Sequence, residues 1–172
     1  DVKQLIANER KYKYKIIKPK PLKLKKQIIS STFIRKLLEN GNLKKANKLL
    51  NRNWCIEGKV QKGRQEGKKI GFPTCNIGIK DYVIAMPGVY ATKVHQKNLK
   101  KPLKAIANLG YRPTFKQKKI LLEVHIFNFS GNLYNKYLSV EFIKFIRKEK
   151  KFNNVSQLKK QIQSDLKVAK KN

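Results

Sequence analysis

Short segments in which apolar and polar residues alternate fill the middle of the chain. They lie between Trp54 and Arg147 and are separated by Gly, Pro and Asn. Five segments carry the pattern: WCIEGKV, GVYATKVH, KAIANLGYRPTF, ILLEVHIFNF and YLSVEFIKFI. Such segments predict β-strands, and no helical pattern interrupts them. The pattern therefore favours a mainly β protein, an antiparallel barrel or sandwich.

The first 50 residues carry a different pattern. Residues 1–27 are Lys-rich, and KPKPLKLKK is typical of an extended connection rather than a packed element. The segment IISSTFIRKLLENG then combines N-cap residues with a helical stripe of Ile34, Leu37 and Leu38, and Gly41 is a natural stop. The segment NLKKANKLLNR predicts a second short helix.

A longer helix is predicted at the C-terminal end of the chain. Apolar residues recur there at helical spacing: Val155, Leu158, Ile162, Leu166 and Ala169. Either Asn154 or Ser156 can cap this helix. The sequence therefore predicts a β domain with a short helical segment before it and one helix after it.

The net charge of +32 changes this picture less than its size suggests. It points first to a nucleic-acid partner. However, only six of the 42 basic residues are Arg, which binds bases and phosphates in a bidentate manner. Lys is spread through every segment, which indicates a compositional bias. We therefore expect no specific nucleic-acid partner, and non-specific binding to polyanions at low salt.

The remaining composition predicts a cytoplasmic protein without a membrane segment. No run of about 18 apolar residues is present, as a transmembrane helix would need. Two cysteines, Cys55 and Cys75, cannot form a disulfide framework or a four-ligand zinc site. We expect them to be free thiols in a reducing cytoplasm.

The segment GRQEGKKIGFPTCN is the first candidate for chemistry. Its glycines can direct backbone N–H groups at an anion, and Lys68 and Lys69 add charge, although the spacing is not that of a Walker A loop. In an extended stretch after Pro73, Thr74 and Asn76 would face the same way. A hydroxyl and an amide oxygen suit Mg²⁺, which takes further ligands from water and phosphates. The alternative is a Thr and an Asn that only satisfy a turn.

A single acid in an apolar strand is the second candidate. Alternation in ILLEVHIFNF puts Glu123 and His125 on one face, opposite Leu122 and Val124. A half-buried carboxylate needs a partner or a function. Glu123 is therefore either a salt-bridge partner of a Lys or a base that accepts a proton from a substrate hydroxyl. For His125 and His95 we expect barrel positions with satisfied ring nitrogens.

Several linked motifs resemble the riboflavin kinase family. GFPTCN is similar to the GFPTAN signature of that family, and PGVYA, NLGYRPTF, LLEVHIFNF, LY and FIRKEKKF follow in the family's order, over roughly residues 54–170. Before them, ISSTFIRKLLENGNLKKANKLLNR resembles the end of the FMN adenylyltransferase domain of bacterial bifunctional FAD synthetases. The resemblance implies a remnant of that domain in residues 1–50 and a riboflavin kinase domain in residues 51–172.

The resemblance also implies a fold, an activity and a set of site residues. The fold is a six-stranded antiparallel Greek-key barrel with a C-terminal helix. The activity is ATP-dependent phosphorylation of riboflavin to FMN, with Mg²⁺ as cofactor and ATP as co-substrate. The implied positions are Glu123 as catalytic base; Thr74 and Asn76 for Mg²⁺ and ATP; Gly63, Lys68, Ile126, Asn128 and Tyr134 for ATP; Arg147, Lys150 and Gln157 for flavin; and Ser30, Ser31, Thr32 and Arg35 as phosphate ligands of the adenylyltransferase remnant.

Some positions depart from the family pattern. Cys75 replaces Ala, Asn128 stands where Asp is frequent, and Asn135 stands where Gly follows the Tyr. The HxGH-type motif of the adenylyltransferase is absent from this sequence, so we expect riboflavin kinase activity without FAD synthesis. A contact with the rest of an adenylyltransferase domain is a further expectation. The alternatives are a basic barrel that binds nucleic acid without catalysis, and an inactive fragment.

Overall fold

The computed structural model describes residues 1–79, 82–97, 99–113 and 118–172, with the backbone alone for residues 112, 113, 118 and 119. The chain separates into two compact units, Asp1–Ser30 and Ser31–Asn172. The predicted division after residue 50 stays a prediction, because this separation reflects spatial contacts rather than family membership.

The first unit contains two short helices and one short hairpin. These elements are α1 (Val2–Ala7), α2 (Glu9–Tyr12), β1 (Lys23–Leu24) and β2 (Gln27–Ile28). The sequence did not predict the helices, which are too short to show an apolar stripe. In the predicted extended connection KPKPLKLKK, residues 18–22 form neither helix nor strand, whereas its last four residues form β1 and the turn of the hairpin.

The second unit is a closed antiparallel barrel with helices at both ends of its sequence. Its elements are α3 (Ser31–Glu39), α4 (Leu43–Leu50), β3 (Cys55–Gln61), α5 (Glu66–Lys69), β4 (Cys75–Ile77), β5 (Gly88–His95), β6 (Leu103–Pro113), β7 (Lys118–Ile126), β8 (Tyr137–Lys148) and α6 (Val155–Lys170). The strands follow the order β3-β4-β7-β6-β5-β8 around the barrel. The predicted six-stranded barrel with a C-terminal helix is confirmed.

The alternating pattern builds the interior of the barrel. Leu122 and Val124 of β7 point inward and are fully buried, as are Tyr90 of β5 and Phe142 of β8. The Tyr90 ring packs edge-on against Phe142 at 5.0 Å between centroids. All five strands predicted from the sequence are present, and the last two residues of the predicted KAIANLGYRPTF strand, 114–115, lie outside the described residues.

The short helices before the barrel form a hairpin that packs against it. Gly41 ends α3 with φ +72°, in the left-handed region that glycine adopts without strain, and Asn42 caps α4. The Asn47 side chain of α4 makes two hydrogen bonds to the barrel. Its Nδ2 donates to the Phe142 carbonyl (3.0 Å), and its Oδ1 accepts from the Trp54 N–H (2.9 Å). These bonds fix the hairpin to strands β3 and β8.

The C-terminal helix covers part of the outer face of the barrel. Asn154 caps α6 by accepting a hydrogen bond from the Gln157 N–H at 2.9 Å. Ala169 and Leu166 then pack with Val89 and Ile106 in a second, smaller apolar cluster. This cluster lies outside the barrel wall, so α6 forms one side of the space above strands β5 and β6.

Candidate active site

A row of directly paired residues crosses five neighbouring strands. Asn76 of β4 lies opposite Glu123 of β7, and Glu123 lies opposite Asn108 of β6. Asn108 is paired with Val89 of β5, and Val89 with Arg147 of β8. Directly opposed residues of antiparallel strands project from the same side of a sheet. Since Leu122 and Val124 point inward, the row lies on the outer face.

A cavity of about 450 Å³ lies over this row. The loop between β3 and β4 lines one end of it, with residues that include Arg64, Gly67, Phe72 and Thr74. The other end is more apolar and is lined by Phe152, Val155, Leu158 and Ile162. The volume is that of a typical small-molecule site, and the division into a polar and an apolar end suits an amphipathic ligand.

Thr74, Asn76 and Glu123 converge on the loop end of the cavity. All three line it, as the alternation in both segments predicts. Asn76 is only 8% exposed, and its Oδ1 is buried without a hydrogen-bond partner among the described residues. A buried amide oxygen without a partner is costly, so this atom is suited to a ligand that supplies one. The Thr74 side chain is exposed.

Two glycines shape the loop around these oxygens. A Cβ on Gly63 would lie 1.5 Å from the Asn76 Nδ2, and one on Gly67 would lie 2.3 Å from the Phe72 carbonyl oxygen. Both positions therefore require glycine for close packing. The loop contains the single helical turn α5, which the sequence did not predict. Lys68 lies on this turn, is exposed and does not line the cavity.

His125 fixes the proline turn to strand β7. Its Nδ1 lies 2.7 Å from the Pro73 carbonyl oxygen, and its ring meets the Phe72 ring edge-on at 6.2 Å. A carbonyl can only accept a hydrogen bond, so Nδ1 must be the protonated donor. Because Glu123 and His125 are two residues apart on one strand face, β7 positions both the candidate base and the segment that precedes Thr74.

Cys75 points away from the site, as the alternation predicts. Its Sγ lies 3.5 Å from the Val124 carbonyl oxygen, and the side chain packs against the barrel core. Burial raises the pKa of the Cys75 thiol to about 11, so the thiol stays protonated at neutral pH. The replacement of the family's Ala by Cys therefore leaves the cavity unchanged.

Arg147 lies in the cavity wall and forms a buried ion pair with α6. Its Nε and Nη2 donate to the Asp165 carboxylate, with the shortest contact 2.7 Å. Gln161 adds a bond to Asp165 at 2.8 Å, and the guanidinium lies 5.9 Å from the Phe152 ring centroid. Arg147 therefore anchors α6 in addition to lining the apolar end of the cavity. Lys150 also lines the cavity.

Three residues of the site were missed by the sequence analysis: Asn108, Glu149 and Asp165. Asp165 had a visible signal, because it lies in the apolar stripe of α6 between Ile162 and Ala169. Asn108 and Glu149 had none, because their place depends on the pairing of β6 with β7 and on the path of the chain after β8.

Several predicted nucleotide and flavin residues lie outside the lining of the cavity. Ile126 packs in the barrel core, Asn128 is exposed in a left-handed turn, and Gln157 lies in the first turn of α6. The Tyr134 hydroxyl accepts a hydrogen bond from Gln65 of the loop at 3.0 Å. Their assigned roles stay predictions. Asn135 has a left-handed φ of +65°, a conformation that Asn tolerates better than most other non-glycine residues.

The predicted adenylyltransferase residues are not among those that line this cavity. Ser31, Thr32 and Arg35 are exposed on α3, and Ser30 is the last residue of the first unit. None of them lines the cavity. Their role as phosphate ligands stays a prediction.

Comparison with known proteins shows the family to which the chain belongs. The family profile described as Flavokinase: Riboflavin kinase matches residues 50–172. The chain belongs to the riboflavin kinase family. It is 44% identical over 144 residues to a bifunctional riboflavin kinase/FMN adenylyltransferase of Haemophilus influenzae, with 84% of this chain and 46% of that protein covered.

Other riboflavin kinase relatives and a solved structure extend the similarity. The enzyme of the same description from Buchnera aphidicola subsp. Schizaphis graminum is 40% identical over 163 residues, which cover 93% of this chain and 52% of that protein. A crystal structure described as a macrolide-efflux protein from Streptococcus pneumoniae aligns with a TM-score of 0.82 and 32% identity, over 95% of this chain and 54% of that one. The chain thus spans about half the length of the curated relatives that it matches. Among the described residues, every helix is too short or too polar to cross a membrane.

Proposed function

We propose that this riboflavin kinase homologue transfers the γ-phosphoryl group of ATP to the 5′-hydroxyl of riboflavin and releases FMN and ADP. The observation that supports it best is the position of Glu123, which lies between Asn76 and Asn108 in one row and lines the cavity together with them. Phosphoryl transfer needs mainly alignment and charge neutralisation, which a site of this kind provides.

Riboflavin would occupy the end of the cavity that α6 covers. Its isoalloxazine is planar, with an apolar dimethylbenzene edge and large ring faces, and Leu158, Ile162 and Phe152 offer an apolar surface there. Arg147 stands at the same end, held by Asp165. The ribityl chain would then run along the row towards Glu123, with its terminal hydroxyl at the carboxylate.

ATP would bind at the loop end, with its phosphates near Gly67, Thr74 and Asn76. The residues at this end fit a hard cation, because the buried Asn76 Oδ1 is without a partner among the described residues and the Thr74 hydroxyl is exposed beside it. We propose that these two oxygens hold Mg²⁺, which supplies neutralisation of phosphate charge when bound. The loop amides and Lys68 would add positive charge near the phosphates.

The proton of the substrate hydroxyl would pass to Glu123. As the 5′-oxygen bonds to the γ-phosphorus, the bond to the ADP oxygen breaks and the hydroxyl proton moves to the carboxylate. The pairing of β7 with β4 and β6 fixes the backbone of Glu123 between Asn76 and Asn108. No covalent intermediate is required.

The proposal is tested by incubating the chain with riboflavin and MgATP and measuring FMN by chromatography. We expect FMN with the wild-type chain, and a kcat lowered by about 10²–10⁴ for Glu123→Gln with riboflavin affinity retained. Glu57→Gln, which removes an exposed carboxylate of β3 outside the cavity, is the matched control. Near-normal turnover by Glu123→Gln would refute the role of Glu123, and absence of FMN with the wild type would refute the activity.

The second activity of the bifunctional relatives is not proposed for these residues. The assignment of residues 1–50 to the end of an adenylyltransferase domain, and a contact with the rest of such a domain, stay predictions. FMN and ATP incubated with the chain should yield no FAD.

A further inference from the structure

A second carboxylate lines the cavity close to Glu123. Glu149 follows strand β8, and its Oε1 accepts a hydrogen bond from the Asn108 Nδ2 at 3.3 Å. Asn108 is the direct row neighbour of Glu123. Glu149 and Glu123 also line a smaller adjoining cavity of about 230 Å³, together with Gly110 and Tyr111. The two carboxylates therefore border the same space on either side of Asn108.

Glu149 is an exposed acid in a Lys-rich segment of the chain. The residues around it in sequence are Lys148, Lys150 and Lys151, and the chain as a whole is strongly basic. Nevertheless, among the described residues the ion pairs are Lys69–Glu66, His95–Glu141 and Arg147–Asp165, and Glu149 takes part in none of them. Its carboxylate turns to the cavity wall and to a neutral amide instead. Such a carboxylate can accept further hydrogen bonds from a ligand.

Gly110 of β6 leaves the space that the Glu149 carboxylate occupies. A Cβ built on Gly110 would lie 2.0 Å from the Glu149 Oε1 and 3.0 Å from its Oε2. Any other residue at position 110 would displace the carboxylate from β6. The absent side chain of Gly110 and the amide of Asn108 together form a seat that holds Glu149 at the cavity.

We propose that Glu149, seated on Gly110 and Asn108, binds the secondary hydroxyls of the substrate's polyol chain and so makes the site selective for a polyhydroxylated side chain. The inference rests on the proposed function, which places the terminal hydroxyl at Glu123. Adjacent strands lie about 4.8 Å apart, so a carboxylate bonded to Asn108 is within reach of hydroxyls only a few bonds from the terminal one.

The proposed role of Glu149 differs chemically from that of Glu123. Hydroxyls donate and an ionised carboxylate only accepts, so each secondary hydroxyl can donate directly to Glu149. Glu149 does not take the transferred proton, because that hydroxyl lies at Glu123. A site that bonds substrate hydroxyls discriminates strongly against an analogue without them, because its polar groups are then left unpaired.

The test measures the kinetics of two flavins with the wild-type chain and with the Glu149→Gln variant. One flavin is riboflavin, and the other carries a 5-hydroxypentyl side chain, which keeps the primary alcohol and lacks the secondary hydroxyls. We expect Glu149→Gln to lower kcat/KM for riboflavin about 10- to 100-fold and to leave kcat/KM for the hydroxypentyl flavin within about twofold. Glu57→Gln, on the exposed side of β3, should change neither value.

A second variant tests the seat without altering the carboxylate itself. Gly110→Ala should force the flexible Glu149 side chain away from β6, with little effect on the barrel, because the clash is with the end of a long side chain. Gly110→Ala should therefore also lower kcat/KM for riboflavin and leave kcat/KM for the hydroxypentyl flavin nearly unchanged. Circular dichroism and thermal unfolding of both variants would show that they are folded.

The same comparison is made by binding, from quenching of flavin fluorescence in the absence of ATP. If the wild type binds riboflavin more tightly than the hydroxypentyl flavin, Glu149→Gln removes this difference, and no FMN forms, then the polyol site is supported and the proposed kinase activity is refuted. If Glu149→Gln weakens the binding of both flavins equally, or of neither flavin, then Glu149 has no part in polyol recognition and the proposal is wrong.

Discussion

At the residue scale, the site depends on the room that Gly63 leaves for the Asn76 amide. A Cβ at position 63 would lie 1.5 Å from the Asn76 Nδ2, and the short Asn side chain cannot bend away as a long one could. We expect Gly63→Ala to raise the KM for MgATP about 10-fold or more, because Asn76 would no longer face the cavity. Initial rates measured over a series of MgATP concentrations check this effect.

The control for this prediction is a double variant. If Gly63 acts only through Asn76, Gly63→Ala combined with Asn76→Ala should be no worse than the more impaired single variant. Riboflavin affinity should stay unchanged in all three proteins, since the proposed flavin site lies at the α6 side of the cavity and not at the loop. Additive losses would mean that Gly63 contributes separately, for example through its own backbone amide.

At the scale of elements, the C-terminal helix is held to the barrel by one buried ion pair and a small apolar cluster. The Arg147 and Asp165 side chains are 16% and 5% exposed. Removal of one member of a buried pair leaves the other charge uncompensated. We therefore expect Asp165→Asn to lower the free energy of unfolding by about 3 kcal/mol and to weaken riboflavin binding more than ATP binding. Denaturant unfolding and flavin titration provide the two measurements.

A double variant separates anchoring from ligand contact. In Arg147→Met combined with Asp165→Leu, an apolar pair replaces the charges and should recover most of the lost stability. If riboflavin affinity stays low in that protein, Arg147 contacts the flavin as the family resemblance implies. If affinity recovers with stability, Arg147 only anchors the helix.

The elements differ in how far the sequence could predict them. Strand β5 was predicted to the residue, because GVYATKVH alternates within clear boundaries. The single turn α5 was missed, because four residues that include a glycine carry no periodic signal. The convergence of Thr74 with Asn76 followed from local alternation, whereas Asn108 and Glu149 reach the site only through pairing of distant strands. Local pattern predicts which face a side chain occupies, and register decides which partners it meets.

At the scale of the whole molecule, acid stability should depend on a polar network that joins β5 and β8 to the segment before the barrel. Burial alone would raise the pKa of the Glu141 carboxyl, but hydrogen bonds from His95 and Asn53 and the positive charges of His95 and Lys93 outweigh burial, so the pKa lies below 4.5. The ionised carboxylate is thus favoured in the folded state. It stabilises the protein above about pH 4.5, and this contribution is lost as the pH falls through the lowered folded pKa.

We expect Glu141→Gln to reduce the free energy of unfolding by about 1 kcal/mol at pH 7, and the difference from wild type to shrink below pH 4. Denaturant unfolding at both pH values checks this. Glu57→Gln, without a comparable network, is the control and should show no such pH dependence. A difference that is equal at both pH values would contradict the argument from the carboxylate.

The row that carries the site follows the barrel order and not the order of synthesis. Asn76 is synthesised before Val89, Asn108 and Glu123, and Arg147 and the helix that it anchors follow them. A growing polypeptide thus acquires the α6 side of its cavity only after all six barrel strands have been made. We expect shortened chains that end before α6 to keep the barrel strands and to bind no riboflavin.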